Sequence, residues 1–306
     1  MENSISSATG TARPTRVLLF ENPNSGGGKD WDTGRFLSAV RGMGIDVRHE
    51  VPDGPDACCS LLMEAEQIDA VAVAGGDGTL SPLIDCLVKR QLPLLVLPAG
   101  TANDFARSIS MPAEPEELAA LLTDGSVSAI DVGYANGKPF LNAASIGMTN
   151  TITHLQTKDR KARWGVLSYA ISAIEAALKP RHFTALVEGE GRRREIRCIQ
   201  LVVGNGRFYG GGMQVHPEAT LTDGKLHLYA VVPRSAFGLA ALLPFLRFGR
   251  ADLAPEVLCG EGPEVSIVTR PKRHVFADGE ELTETPVRFR VVTEALKVIV
   301  PKEDKQ

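Results

Sequence analysis

The chain has 306 residues, 43% of them hydrophobic and 23% charged, which is the balance of a folded protein with a substantial core and excludes a disordered tail or a disulfide miniprotein. At about 150 residues per domain, two domains are the first expectation. A formal net charge of -4 argues against a general nucleic-acid binder, so no nucleic acid is expected as a partner.

Residues 1–15 are polar and small, with no apolar run behind a basic start; they read as a disordered leader and not a signal peptide. From Arg16 short apolar runs alternate with helical spacing. Strands are expected at Arg16 to Phe20, Asp46 to Val51, Ala70 to Ala74 and Leu92 to Leu97. Helices are expected at Trp31 to Val40, Ala57 to Glu66 and Leu80 to Lys89. Strand and helix in alternation imply right-handed crossovers and an open parallel sheet. This N-terminal α/β domain is expected over residues 16–131.

Beyond Asp131 the strand-like pieces follow one another directly: Ala129 to Tyr134, Phe140 to Ile146, Phe183 to Glu188, Glu195 to Val203, Lys225 to Val232, Glu264 to Thr269, Val287 to Val292 and Leu296 to Val300. Asn136-Gly137 signals a hairpin, since both residues tolerate positive φ. Helical segments at Trp164 to Leu178 and Ala236 to Phe248 interrupt the series. Residues 132–306 therefore read as a mainly antiparallel β-sandwich C-terminal domain. The apolar stretch Ala236 to Leu246 is broken by Pro244, short of the roughly 20 residues a spanning helix needs. Five cysteines, Cys58, Cys59, Cys86, Cys198 and Cys259, show no C-x-x-C spacing. They read as reduced thiols of a cytoplasmic protein. The six histidines lack metal-ligand spacing, and His216 and His274 read as surface or supporting residues.

Three glycine-containing loops fall where the parallel strands end: Asn22-Pro-Asn-Ser-Gly26, Gly75-Gly-Asp-Gly-Thr79 and Gly100-Thr-Ala-Asn-Asp104. The crevice beyond such strand ends is where open α/β sheets bind ligands. Glycine lets the backbone approach a phosphate, and the amides opening the next helix favour negative charge. Any one loop could be a plain strand-to-helix turn; three in one sheet point to a nucleotide. The Walker A spacing, the G-x-G-x-x-G fingerprint and the protein-kinase signatures are all absent.

These loops, with Leu80 closing the second, the extension Phe105-Ala106 of the third and a late Asp278-Gly279-Glu280, resemble the diacylglycerol-kinase catalytic-domain family, which includes soluble bacterial lipid kinases and, more distantly, sphingosine and ceramide kinases. The resemblance spans the chain after the leader and takes in Pro217 to Gly224, similar to the family's second-domain metal motif. Gly-Gly-Asp-Gly alone is shared with NAD kinases and phosphofructokinases. The resemblance implies phosphorylation of a lipid hydroxyl by Mg2+ and ATP, between a nucleotide domain and a sandwich domain. It places Asn22, Pro23, Asn24, Ser25, Gly26, Gly75, Gly76, Asp77, Gly78, Thr79, Leu80, Thr101 and Asn103 around the nucleotide, with Asp77 toward the phosphates or their metal. It gives Asp278 or Glu280 the proton of the acceptor hydroxyl. It assigns a structural magnesium to Asp223 with the main-chain carbonyls of Thr220 and Lys225. Where relatives often carry a threonine near the adenosine, this chain has Glu50-Val51-Pro52.

The residue types suit that chemistry. Phosphoryl transfer needs placement and charge neutralisation more than covalent help, and magnesium wants hard oxygen ligands such as carboxylates. Seen alone, Asp278-Gly279 and Asp223-Gly224 are equally good turn signals. The basic run Lys158, Arg160, Lys161, Arg163 and the segment Phe237 to Arg250 would suit transient docking on an anionic membrane. A diacylglycerol-like lipid is the expected substrate. A sphingoid base, ceramide or other lipid alcohol is the alternative within enzymes, and a catalytically inactive nucleotide-binding regulator the alternative outside them. A homodimer is compatible with all of these.

Overall fold

The computed structural model describes residues 13–25, 31–147, 182–214, 216, 218–232 and 257–302. Most of the expected leader, Gly26, Pro217, the basic run at 158–163 and the helices expected at 164–178 and 236–248 lie outside the described residues. The chain divides into two units. The first is Met1–Val132 with Thr220–Asp223 and Val292–Gln306; the second is Gly133–Ala219 with Gly224–Val291.

In the first unit β1 (Arg16–Glu21), α1 (Thr33–Gly42), β2 (Asp46–Glu50), α2 (Pro55–Glu64) and β3 (Ala70–Gly75) lead to a helical stretch. That stretch comprises α3 (Asp77–Leu80), a 3-10 turn at Ser81–Leu83 and α4 (Ile84–Arg90). Then come β4 (Leu94–Pro98), α5 (Asp104–Ser108) and α6 (Pro115–Asp124). The strands lie in the order β2-β1-β3-β4, all parallel. Every residue of β3 is buried, as its unbroken Ala/Val run requires of a strand covered on both faces. Val17, Leu19, Ala72 and Leu95 join Phe36 and Val40 of α1 and Leu118 and Leu122 of α6 in one core. Leu18, Val71 and Val96 are as fully buried on the opposite side of the strands, and α2 and α4 pack on each other. Helix α1 opens on Asp32, whose carboxylate accepts from the Arg35 amide at 3.1 Å, while α2 and α6 each open on a proline, at a position whose N–H has no helical partner to lose.

Two sequence expectations change here. The helix expected from Leu80 begins at Asp77, so it leaves the glycine loop without a spacer. The cysteines are not all reduced: Cys59 on α2 and Cys86 on α4 form a disulfide, with Cα atoms 5.8 Å apart. Adjacent helices bring together residues whose 27-residue separation carries no recognisable spacing. Cys58, one position along α2, faces the core, and burial pushes its thiol up to about 12.

The second unit is antiparallel. β5 (Ser126–Ala135) runs from the first unit into it and turns through Asn136 and Gly137, at φ 48° and 84°, into β6 (Lys138–Phe140). After β7 (Ala143–Gly147) come β8 (Phe183–Gly189), β9 (Arg192–Cys198), β10 (Gln200–Gly204), the short β11 (Phe208–Tyr209) and β12 (Met213–Gln214), and β13 (Leu226–Val231). The last five are β14 (Val257–Gly262), β15 (Glu264–Arg270), β16 (His274–Ala277), β17 (Glu280–Glu284) and β18 (Val287–Val300).

One sheet runs β14-β13-β10-β7-β16-β17, and in another β15 lies between the start of β18 and β8, with β9 at the edge. Their facing residues, among them Phe140, Phe183, Leu201, Ile267, Val275 and Phe289, form one core. Phe140 and Phe289 meet edge to face at 6.2 Å. The run expected as one strand from Glu195 to Val203 is two, β9 and β10, in different sheets. Conversely, Val287 to Val292 and Leu296 to Val300 are one strand, carried through a positive φ of 53° at Glu294. Its first part belongs to the second unit and residues from Val292 onward to the first.

Candidate nucleotide and acceptor sites

In the first unit the register pairs Glu21 with Ala74 and Gly75 with Pro98, so β1, β3 and β4 end together and their three loops start from one edge. The chain leaves β1 toward β2 on one side and β3 toward β4 on the other, which makes the β1–β3 junction the switch point where such sheets bind ligands. The loops are tied there side chain to side chain. The Asn22 amide nitrogen donates to Thr79 Oγ1 at 2.9 Å, Asn22 Oδ1 accepts from the Asn24 N–H at 3.0 Å, and Ser25 Oγ lies 3.4 Å from Thr79 Oγ1.

The second and third loops touch through their glycines. A Cβ on Gly100 would lie 2.4 Å from the Gly76 Cα, and one on Gly75 would lie 2.5 Å from the Thr79 Cβ. Asn103 adopts a left-handed conformation, φ 50°, and its amide staples its own loop. Nδ2 donates to the carbonyls of Pro98 (3.0 Å) and Gly100 (2.8 Å), while Oδ1 accepts from the Gly100 N–H at 3.0 Å. Asp77 crosses to the third loop, where its two oxygens accept from the N–H groups of Asp104 (3.0 Å) and Phe105 (2.9 Å) that open α5. Its carboxylate thus has a structural task beside the one expected of it. Gly78, Thr101, Pro23 and Asn24 are exposed at this edge, whereas Leu80 is buried in the core.

In the second unit Asp278 and Gly279, at φ 49° and 93°, form the turn between β16 and β17. The turn also aims a carboxylate: Asp278 accepts from the N–H groups of Leu141 (2.8 Å) and Asn142 (3.0 Å), the two residues that separate β6 from β7. Asn205, following β10, donates its side-chain N–H to the Leu141 carbonyl at 3.0 Å, and its main-chain N–H meets the Asn142 carbonyl at 2.9 Å. Asn142 and Asn205 are both buried. Neither was expected from the sequence, although an asparagine inside an apolar run, as in Phe140-Leu-Asn-Ala-Ala144, is a usable signal that a buried amide is organising main chain. Glu280 is exposed at the start of β17, and its side chain makes no hydrogen bond or ion pair among the described residues.

Asp223 accepts from the Thr220 N–H at 3.2 Å within its own loop. The neighbouring Leu221 carbonyl accepts from the Asp131 N–H at 2.7 Å. The Lys225 ammonium pairs with Glu261 at 2.6 Å, and of the groups of Lys225 only its carbonyl is of the type that ligates a cation. Among the described residues no cluster of three His, Cys, Asp or Glu side chains could hold a metal. The donor set at Thr220–Lys225 is instead one carboxylate with main-chain oxygens, hard ligands that fit magnesium and leave most of its shell to water. Where relatives often carry the threonine near the adenosine, Glu50 pairs with Arg48 at 2.7 Å and Val51 is exposed.

A family model described as the diacylglycerol kinase catalytic domain matches residues 16–135. A second, the YegS C-terminal NAD kinase beta sandwich-like domain, matches residues 143–300. The chain belongs to the YegS-like lipid kinases, with a diacylglycerol kinase catalytic domain. It is 30% identical over 300 residues to a YegS-like lipid kinase of Klebsiella pneumoniae, covering 95% of this chain and 97% of that one. It is 29% identical over 301 residues to a diacylglycerol kinase of Mycobacterium tuberculosis, covering 94% and 96%. A solved structure of a Bacillus anthracis protein described as a diacylglycerol kinase superposes with a TM-score of 0.77 over 95% of this chain and 98% of that one. At 24% identity that likeness speaks for the fold alone, and it carries the same pairing of an α/β unit with an antiparallel sandwich. Among the described residues no helix is long and apolar enough to cross a membrane.

Proposed function

We propose that this family member is a lipid kinase that transfers the γ-phosphoryl group of ATP to the hydroxyl of a diacylglycerol-like lipid. The nucleotide is assigned to residues 16–131 and the acceptor to residues 132–306. The observation that carries the reading is the fastening of three strand-end loops to one another at the switch point of a parallel sheet, through Asn22, Thr79, Gly76, Gly100 and Asp77. A flexible triphosphate bound by pre-arranged main-chain amides costs little reorganisation during transfer.

In this reading the loops Asn22–Gly26 and Gly75–Thr79, with Thr101, cradle the phosphates. Asn103 and Asp77 hold the third loop in place. The acceptor oxygen bonds to the γ-phosphorus as the bond to the β-phosphate oxygen breaks, ADP leaves, and the hydroxyl proton passes to a carboxylate of the Asp278-Gly279-Glu280 turn. Magnesium, when bound, supplies neutralisation of the phosphate charge. Asp223 with the carbonyls of Thr220 and Lys225 would hold a second ion, which would stiffen the loop whose Leu221 carbonyl accepts from the Asp131 N–H. An exposed Glu280 whose side chain has no bond to keep among the described residues is at liberty for chemistry, which favours a kinase over a nucleotide sensor without turnover.

The test is transfer of radiolabelled γ-phosphate from Mg-ATP to diacylglycerol, monoacylglycerol, sphingosine, ceramide and phosphatidylglycerol in mixed micelles, with NAD as the polar control. Label on diacylglycerol is expected. Glu280→Gln then separates chemistry from folding, because no described bond is lost. Asp278→Asn removes an acceptor from one main-chain N–H as well, leaving it unmatched at about 1–3 kcal/mol. Its lost activity therefore counts as chemical only if its unfolding midpoint is corrected for. ATP binding without label on any lipid would overturn the proposal.

A further inference from the structure

The outer side of the β9-β8-β15-β18 sheet carries a pattern that the phosphotransfer site does not use. The register sets its side chains in rows. Arg197, Thr184 and Arg270 lie side by side, then Glu195, Leu186 and Val268, then Arg193, Glu188, Ser266 and Arg288. Arg290 and Glu264 close the patch. The alternate residues on these strands, such as Ala185, Ile196, Ile267 and Phe289, face the core, so every member of the rows points outward. The aliphatic centre is open to solvent: Val268 is 42% exposed. Arg288 is held by Glu264 through two bonds of 2.6 Å, and Arg290 lies over the Tyr134 ring. Arg193, Arg197 and Arg270 form no ion pair among the described residues.

Charged residues on β9 alone would need no explanation, since β9 is an edge strand and charge on an edge blocks pairing with a second sheet. That reasoning does not reach Arg288 and Arg290, whose strand β18 has neighbours on both sides, while Arg270 lies at the end of β15, past the last pair with β18. Five arginines against three carboxylates make this side positive in a chain whose net charge is -4. A face of that sign attracts a polyanion in one orientation while the rest of the molecule is repelled. Guanidinium groups match phosphate oxygens in pairs. The patch offers aliphatic Leu186 and Val268 in place of the aromatic platforms on which sheet proteins stack bases, so nucleic acid is the poorer fit.

We propose that this side of the sandwich is a docking surface for an anionic phospholipid bilayer, with Arg193, Arg197 and Arg270 meeting headgroup phosphates around Val268 and Leu186. The inference deepens the lipid-kinase reading and rests on it for its purpose, but the binding itself is separable. The test is co-sedimentation of the full chain with phosphatidylglycerol/phosphatidylcholine vesicles and with phosphatidylcholine alone, at low and high salt. Arg197→Glu/Arg270→Glu is compared with Arg41→Glu/Lys89→Glu, an equal change of charge in the first unit. Thermal unfolding of each variant checks the fold, and phosphorylation of diacylglycerol in detergent micelles is read in parallel. Salt-sensitive binding to the anionic vesicles, weakened at least tenfold only by the sheet variant, is the expected result. Unchanged vesicle binding beside normal micellar activity would overturn the surface and leave the kinase standing. Vesicle binding lost in the sheet variant, without any lipid phosphorylation by the wild type, would sustain the surface and overturn the kinase. Sheet-dependent binding of an RNA oligonucleotide with none to vesicles would reassign the face.

Discussion

Gly76 and Gly100 bring two loops into main-chain contact, and the space between them is measurable in single atoms. A Cβ on Gly100 meets the Gly76 Cα at 2.4 Å, and neither backbone can step aside as a flexible side chain could. Gly100→Ala is expected to destabilise the protein by about 1–3 kcal/mol, the usual cost of overpacking, and to lose nucleotide affinity with it. Gly78, in the same motif, has nothing within 4 Å of the place a methyl group would take and no positive φ, and it lies within a helical turn. Gly78→Ala is expected to be neutral or stabilising by up to about 1 kcal/mol. If Gly78→Ala nonetheless abolishes ATP binding, the glycine is there for the ligand. Denaturant midpoints and calorimetric titration with ATP read both variants. The sequence showed all these glycines alike; it could not show which of them meet other backbone.

Among the elements, α2 and α4 are joined by the bond between Cys59 and Cys86. Cys58 sits beside that bond without competing for it, because a thiol held near 12 by burial supplies almost no thiolate at neutral pH. Reduction is expected to lower stability by about 3–4 kcal/mol if the chain-entropy account of a loop of this length holds. The melting temperature should fall by several degrees in dithiothreitol, and Cys59→Ser should melt at the lower temperature with or without reductant. A melting temperature indifferent to reductant would contradict the pairing. The bond was illegible in the sequence because it joins two helices through their packing, not through spacing. The parallel strands were legible for the opposite reason: a short unbroken β-branched run such as Ala70 to Ala74 has few other places to go. Breaks inside apolar runs, at Leu141-Asn142 and Ile199, were missed because the residues that impose them come from distant parts of the chain.

On the scale of the molecule, the order of α/β followed by antiparallel pieces was readable from periodicity, and the glycine loops from their place at strand ends. The division of the chain is less linear than that. Residues 292–300 return to the first unit: Val298 pairs with Leu94 of β4, the Ala295 carbonyl accepts from the Gln91 side chain at 3.0 Å, and the Glu294 N–H donates to Asp131 at 3.0 Å. A piece comprising residues 16–131 alone is therefore expected to aggregate or to unfold at markedly lower denaturant than the whole chain. Addition in trans of a peptide spanning 292–302 should restore part of the difference. A fully stable isolated piece would show that β4 does not need its neighbour.

The path of β18 also sets a timetable. During synthesis the glycine loops and the strands that bear them emerge early, yet the neighbour that covers the outer side of β4 is translated only after the entire sandwich sequence. For that interval Leu94 and its companions have no native partner on that side, and the first unit is an unfinished sheet. The arrangement makes completion of the parallel sheet a late event, withheld until the sandwich sequence has already been translated.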